Sequence, residues 1–146
     1  MSKKRIFSLV AATMLSVSVL AGCGSDSKLT DGKYEVESKA ADERGYKSSL
    51  TMEVKDGKIA TVNYDEVKED GTGKKADADY NAQMKEIMKT NPQEAFKALE
   101  DSAVEKQSSE VDTVAGATSS SESFKKFAAK AIENAQAGNT EKTVLE

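Results

Sequence analysis

The apolar residues of this chain change their spacing once, and that change limits the fold more than any other feature. From Tyr34 to Tyr64 they alternate with polar residues; from Ala78 onward they recur three and four apart. Alternation marks half-buried strands and the longer period marks helices with one apolar face. Tyr34-Glu35-Val36-Glu37, after the turn Asp31-Gly32, reads as a first strand. Tyr46 to Val54 puts Leu50, Met52 and Val54 on one face, and Lys58 to Tyr64 follows across Asp56-Gly57. An Asp-Gly pair between two such runs is a hairpin signal, because a type I′ turn needs positive φ at both central residues. Glu69 to Lys75 is a polar, glycine-containing loop.

The helical half reads as three segments. Ala78 to Lys89 places Tyr80, Met84, Ile87 and Met88 on one side. Asn91-Pro92-Gln93-Glu94 is a helix start, with Asn as cap, Pro in the first position and Glu three after the cap. Its stripe is Ala95, Phe96, Leu99, Ala103 and Val104. Ser119-Ser120-Ser121-Glu122 offers a capping box for a last helix with Phe124, Phe127, Ala128, Ala131, Ile132 and Ala135 inward. Strands come first and helices later, so the class is α+β: a small antiparallel sheet of N-terminal strands packed with about three helices. Gly138-Asn139 ends the last helix, and residues 138–146 read as a flexible polar tail.

Composition narrows the chemistry. The chain has no His and no Trp, and one Cys, Cys23. Histidine-ligated haem, the commonest zinc sites and His-based acid–base pairs are therefore excluded. So are an internal disulfide and any Cys cluster. The formal charge is −4; the first 22 residues carry Lys3, Lys4 and Arg5 and no acid, so the remainder stands at −7. Such a surface has no basic surplus to grip nucleic acid. About 120 residues suffice for one modest core. Chemistry must come from carboxylates, hydroxyls and lysines, or from a borrowed cofactor.

The N-terminus reads as an address. Met1–Arg5 is basic and Ile6 to Leu20 is apolar with small residues, short for a bilayer span of about 20 residues. Leu20-Ala21-Gly22-Cys23 resembles the lipobox of bacterial lipoproteins. The resemblance implies a signal peptide over 1–22, lipidation of Cys23 as the new N-terminus, and a tether over 23–28. The chain would then sit on the extracytoplasmic side of the cell membrane. Some such leaders also release short signalling peptides ending before the Cys, here Val17-Ser18-Val19-Leu20-Ala21-Gly22.

Asp112-Thr113-Val114-Ala115-Gly116-Ala117-Thr118-Ser119-Ser120 lies between two helical regions and runs into a helix start. Small residues allow close backbone approach, and the free amides of a first turn favour an anion. Composition alone favours a plainer reading, a serine-rich linker with a good cap. Asp112, three residues, then Gly116-Ala117-Thr118 resembles the flavinylation motif of the FMN-binding domain family, which reverses that preference. That family includes peripheral subunits of sodium-pumping and related quinone reductases and exported flavin lipoproteins of Gram-positive bacteria. The resemblance extends to Asp31-Gly32-Lys33-Tyr34 and Val54-Lys55-Asp56-Gly57-Lys58-Ile59, so it covers 29–137.

By that likeness Thr118 carries FMN through a phosphoester, installed by a magnesium-dependent flavin transferase with FAD as donor. Gly116 and Ala117 give room, Asp112 is the acidic anchor, and Ser119 and Ser120 stand beside the phosphate. Ala115 departs from the Ser or Thr that many members carry before the Gly, removing one hydroxyl but not the acceptor oxygen. The implied function is an electron carrier in extracellular electron transfer, not an enzyme in its own right, supplied by a membrane dehydrogenase or quinol and relaying electrons to a terminal acceptor or a reductase partner. The competing reading is a non-redox surface lipoprotein, a binding or adhesion module. Tyr80, Asn81 and Met84 read first as helix core and second as an isoalloxazine lining. Tyr46 and Tyr64 read as strand-face packing, and the acids of Glu94–Glu110 as an exposed helix face. Lys74 and Lys75 read first as a solvated pair, and second as partners for a phosphate or a reduced flavin.

Overall fold

The computed structural model describes residues 28–146. Cys23, the expected leader over 1–22 and all but the last residue of the expected tether over 23–28 lie outside the described residues. Strands β1 (Gly32–Ser38), β2 (Tyr46–Lys55) and β3 (Lys58–Lys68) are followed by helices α1 (Ala78–Met88), α2 (Pro92–Lys106) and α3 (Thr118–Ala137). A short β4 (Thr143–Leu145) ends the chain. This is the α+β arrangement expected from the change in period.

The β2–β3 hairpin closes as its turn chemistry requires, with Asp56 at φ 53° and Gly57 at φ 75°. Asp31 pins that turn from outside: its carboxylate accepts from the Asp56 amide at 3.0 Å and the Gly57 amide at 2.8 Å. A bulge between Glu53 and Val54 shifts the register near the turn.

The sheet order is β3-β2-β1-β4. The first three strands pair antiparallel, whereas β4 runs parallel to β1, with Val36 opposite Thr143. The sheet is thus mixed rather than wholly antiparallel, and the expected loose tail carries a strand. Gly138, at φ 68°, ends α3 and turns the chain back. Asn134 then donates to Thr143 Oγ1 at 2.8 Å, and Lys39 donates its amide to Leu145 O at 2.8 Å. An otherwise unpaired edge of β1 is satisfied by three β-prone residues, too few to show a period.

One face of the sheet is covered by α2 and α3. Tyr34, Val36, Leu50, Met52, Val54, Ile59, Val62 and Tyr64 meet Phe96 and Leu99 of α2 and Phe124, Phe127 and Ala131 of α3. The Tyr64 ring stands edge-on to Phe96 at 5.0 Å and to Phe124 at 5.5 Å. The start of α2 is capped as read: Asn91 Oδ1 accepts from the Glu94 amide at 2.8 Å, with Pro92 in the first turn.

Helix α1 differs from its reading as core. Its apolar side is not buried; Ile87 is 72% exposed and Met88 43%. The buried residue of α1 is Asn81. Its amide donates to Lys74 O and Asp77 O, both at 2.7 Å, and its carbonyl accepts from the Gln93 amide at 3.0 Å. Hydrogen bonds therefore hold α1 between the 74–77 loop and α2, and its apolar side is left for another use.

Phe124→Ala empties the space against Tyr64 and is expected to cost about 3–5 kcal/mol. Urea unfolding followed by far-UV circular dichroism checks this, as a fall in midpoint at constant slope.

Candidate functional site

A cleft of about 480 Å³ lies where α1 ends, α2 begins and the 111–117 loop enters α3. Tyr80, Met84, Ile87 and Met88 supply one wall, Pro92 and Phe96 a second, and Gly116 to Ser120 a third; Arg44 and Lys74 complete it. The volume falls in the usual range for small-molecule sites, roughly 300–1,000 Å³.

The third wall owes its shape to Gly116. It adopts φ 82°, and a Cβ there would stand 2.9 Å from Met88 O and 3.0 Å from Thr90 Cγ2. The loop therefore packs backbone to backbone against the end of α1, which a side chain would prevent. Buried Ser121 holds the loop from the other side: its hydroxyl donates to Ala117 O at 2.7 Å and accepts from the Val114 amide at 3.0 Å.

Helix α3 starts at Thr118, with Ala117 as the cap residue and no side-chain capping bond. The expected capping box at Ser119–Glu122 does not form, because Ser119 already lies inside the first turn and Glu122 is exposed. The amides of Thr118, Ser119 and Ser120 thus precede the first helical hydrogen bond, which Ser121 donates to Ala117 O at 2.9 Å. They form an uncapped, electropositive helix end at the cleft.

Of the six residues read for the cofactor, Gly116, Ala117, Thr118, Ser119 and Ser120 line the cleft together. Asp112 does not: its side chain is 96% exposed and lies 3.1 Å from Lys106 Nζ at the surface. Tyr80 and Met84 line the cleft rather than the core. Ser119 and Ser120 also border an adjoining polar pocket of about 390 Å³, with Ser48, Glu66, Lys74 and Ser123.

Lys74 and Lys75 are not a solvated pair. Lys74 is buried and ion-paired with buried Glu66, and its ammonium sits 4.4 Å from the centre of the Tyr46 ring. Lys75 pairs with Glu100, which also accepts from the Tyr64 amide at 2.7 Å, so Glu100 departs from the exposed acids around it. Tyr64 donates to Glu66 Oε1 at 3.0 Å and lies 3.2 Å from Ser48 Oγ, itself 2.9 Å from Ser123 Oγ. Burial above all, with the Glu66 charge adding, pushes the Tyr64 phenol well above its ordinary pKa. Glu66 and this hydroxyl chain escaped the sequence reading. Their signal was a carboxylate two residues after Tyr64, at an inward position of the alternation.

Residues 45–133 match the model of the FMN-binding domain. The chain belongs to that family. The match runs from the start of β2 through most of α3 and includes every residue lining the 480 Å³ cleft except Arg44. A 15 kDa lipoprotein of Treponema pallidum (strain Nichols) is 36% identical over 128 residues, covering 87% of this chain and 91% of the relative. A crystal structure from Clostridium perfringens is 45% identical with a TM-score of 0.77, covering 81% of this chain and 99% of its own. A solution structure from Clostridium thermocellum is 28% identical with a TM-score of 0.50, covering 72% and 91%.

The cleft fits FMN by its own chemistry. Three uncapped amides and adjacent hydroxyls suit a phosphate, and the thioether and aromatic wall of Tyr80, Met84, Met88 and Phe96 suits a flat ring system.

In the FMN-binding domain, Gly116→Ala strains the backbone by roughly 1–2 kcal/mol and separates the loop from α1. The expected result is a lower thermal midpoint together with reduced flavin content, measured on the same preparation by melting and by absorbance per protein.

Proposed function

We propose that this protein is a membrane-anchored, extracytoplasmic electron carrier whose FMN is esterified to Thr118. The observation that carries the reading is an exposed Thr118 at the uncapped start of α3, on the rim of an apolar cleft in an FMN-binding domain. In the attachment step Thr118 Oγ1 bonds to the FMN phosphorus of FAD, the pyrophosphate bond breaks, and AMP leaves with the hydroxyl proton. A magnesium-dependent flavin transferase is the catalyst that this step needs.

Each group of this chain then has a separate task. Gly116 lets the motif lie close against α1, and the amides of Thr118 to Ser120 face the phosphodiester. Tyr80, Met84, Met88 and Phe96 cover one part of the ring system, and the openness of the cleft leaves another within reach of a partner. FMN supplies one- and two-electron redox chemistry that no side chain of this composition offers. A membrane dehydrogenase or quinol is the proposed electron source, and a terminal acceptor or reductase partner receives the electrons.

Anchoring follows from the Leu20-Ala21-Gly22-Cys23 segment, and the Treponema relative bears the name lipoprotein. Among the described residues no helix is long and apolar enough to cross a membrane. Two or more acyl chains on Cys23, each buried methylene contributing about 0.8 kcal/mol, would hold the protein where lipid-borne electron donors diffuse. An ester bond suits such a setting, since it retains the cofactor where free FMN is scarce.

The test is to produce the full chain with a flavin transferase in an exporting host and purify it in detergent. The intact mass is expected to show the lipid plus FMN less one water, with flavin absorbance in the visible. Thr118→Ala is expected to lose both flavin signals while keeping its fold. A parent chain without flavin mass overturns the proposal, and a Thr118→Ala chain that keeps it overturns the attachment site. Cys23→Ala is expected to move the protein out of the membrane fraction with its domain unchanged.

A further inference from the structure

Beside the cleft lies a buried ion pair that flavin attachment does not require. The side chains of Lys74 and Glu66 are 6% and 8% exposed. Taking two such charges out of water is costly, and an apolar pair of similar volume would stabilise the fold as well or better. The pair is also built in detail. Glu66 accepts from Tyr64 OH at 3.0 Å, and the Lys74 ammonium lies 4.4 Å from the Tyr46 ring centre and 5.7 Å from that of Tyr80. No buried side-chain polar atom among the described residues lacks a partner.

The arrangement is polar in one direction. Lys74 lines both the 480 Å³ cleft and the adjoining polar pocket, whereas Glu66 lines only the polar pocket. The lysine of the pair thus borders the cleft that holds Thr118, its ammonium 5.7 Å from the ring centre of the wall residue Tyr80, whereas Glu66 lines the polar pocket alone. In a partly dry site a charge so placed acts more strongly than at the surface.

We propose that Lys74, oriented by Glu66 and Tyr46, tunes the redox potential of the bound flavin by presenting its ammonium to the charge gained on reduction. The inference rests on the flavin reading of the cleft. Two electrons from the membrane donor and one proton from solvent add one net negative charge to the cofactor. An ammonium facing it stabilises the reduced state more than the oxidised one, which raises the potential. Glu66 positions the ammonium and limits that rise.

The sign of each substitution follows. Glu66→Gln keeps one oxygen to face the Lys74 ammonium, leaves its amide NH2 to donate to the Tyr64 hydroxyl, and removes the opposing charge. It is expected to favour the reduced flavin by about tenfold, or about 30 mV upward for a two-electron couple. Lys74→Met combined with Glu66→Gln removes both charges and leaves a neutral site, with an expected potential below that of the parent. A merely structural pair would change the melting temperature without this order.

The experiment uses the full flavin-loaded chain in detergent, with loading first established by intact mass and visible spectrum. Midpoint potentials of the parent, the single and the double variant are then measured by dithionite titration against reference dyes. Glu66→Gln highest, parent intermediate and the double variant lowest supports the proposal. Three potentials equivalent to within twofold in relative affinity, or a reversed order, overturns it. If the double variant does not fold, Glu66→Gln against parent decides alone: a rise supports the proposal, and no rise overturns it. A parent chain that carries no flavin overturns the underlying reading at the loading step, before any potential is measured.

Discussion

The ring of Tyr64, held between Phe96 and Phe124, joins the parts on which the rest of the structure depends. Its edge-on contacts tie β3 to α2 and α3 at once. Each such pair adds about 0.5–1.5 kcal/mol beyond the area it buries. The consequence is geometric as much as energetic. With both helices fixed to the same strand residue, the first turns of α2 and α3 are held as facing walls, and the cleft lies between them. The Tyr64 hydroxyl extends the same residue into the polar chain of Glu66, Ser48 and Ser123, so core and site share one side chain.

Around that anchor the site uses backbone and polar contacts where an ordinary domain would use apolar packing. Helix α1 is held by Asn81, which bonds to the 74–77 loop and to α2, and this releases its apolar side to line the cleft. The motif loop is held by Gly116 against Met88 O and by the two hydrogen bonds of Ser121. Each device keeps a wall rigid without filling the space in front of it. An exposed Ile87 and Met88 are a liability in an isolated domain and useful where a flat aromatic ligand is to be covered.

What the sequence reveals follows from the range of the interactions involved. Asp56-Gly57 and Asn91-Pro92 were legible because turn and cap chemistry is settled within four residues. The stripes of α2 and α3 were legible because a core-facing helix repeats one signal many times. The stripe of α1 gives the same period, and period alone does not separate a side facing the core from one facing a cleft. Lys74 looked like a loop lysine because its partner Glu66 lies across a turn and its aromatic neighbours Tyr46 and Tyr80 lie on other elements. The start of α3 was misplaced because a Thr-Ser-Ser-Ser run offers several caps and the helix uses none of them: it begins at Thr118 after Ala117, and Ser121 spends its hydroxyl on Ala117 O and the Val114 amide. Asp112 fits the motif as a letter in the sequence, yet its carboxylate faces Lys106 and solvent. Three residues of β4 carry too little pattern to be read at all.

The same run of hydroxyls shows how the fold discriminates among chemically similar groups. Thr118, Ser119, Ser120 and Ser121 are consecutive, and each could form a phosphoester in isolation. Ser121 is fully buried and spends its hydroxyl on Val114 and Ala117, so it is closed to a second protein. Ser120 is half-buried, and both it and Ser119 border the polar pocket as well as the cleft. Thr118 is exposed and lines the apolar cleft but not the polar pocket beside Ser48 and Ser123. Under the proposed esterification a bond at Thr118 would leave the flavin free to fall back onto Tyr80 and Met84. A bond at Ser119 would tether it nearer the polar side. The choice of threonine would then follow from its place at the first helical position, directly after the cap Ala117 and two residues beyond the left-handed Gly116, more than from the reactivity of its hydroxyl.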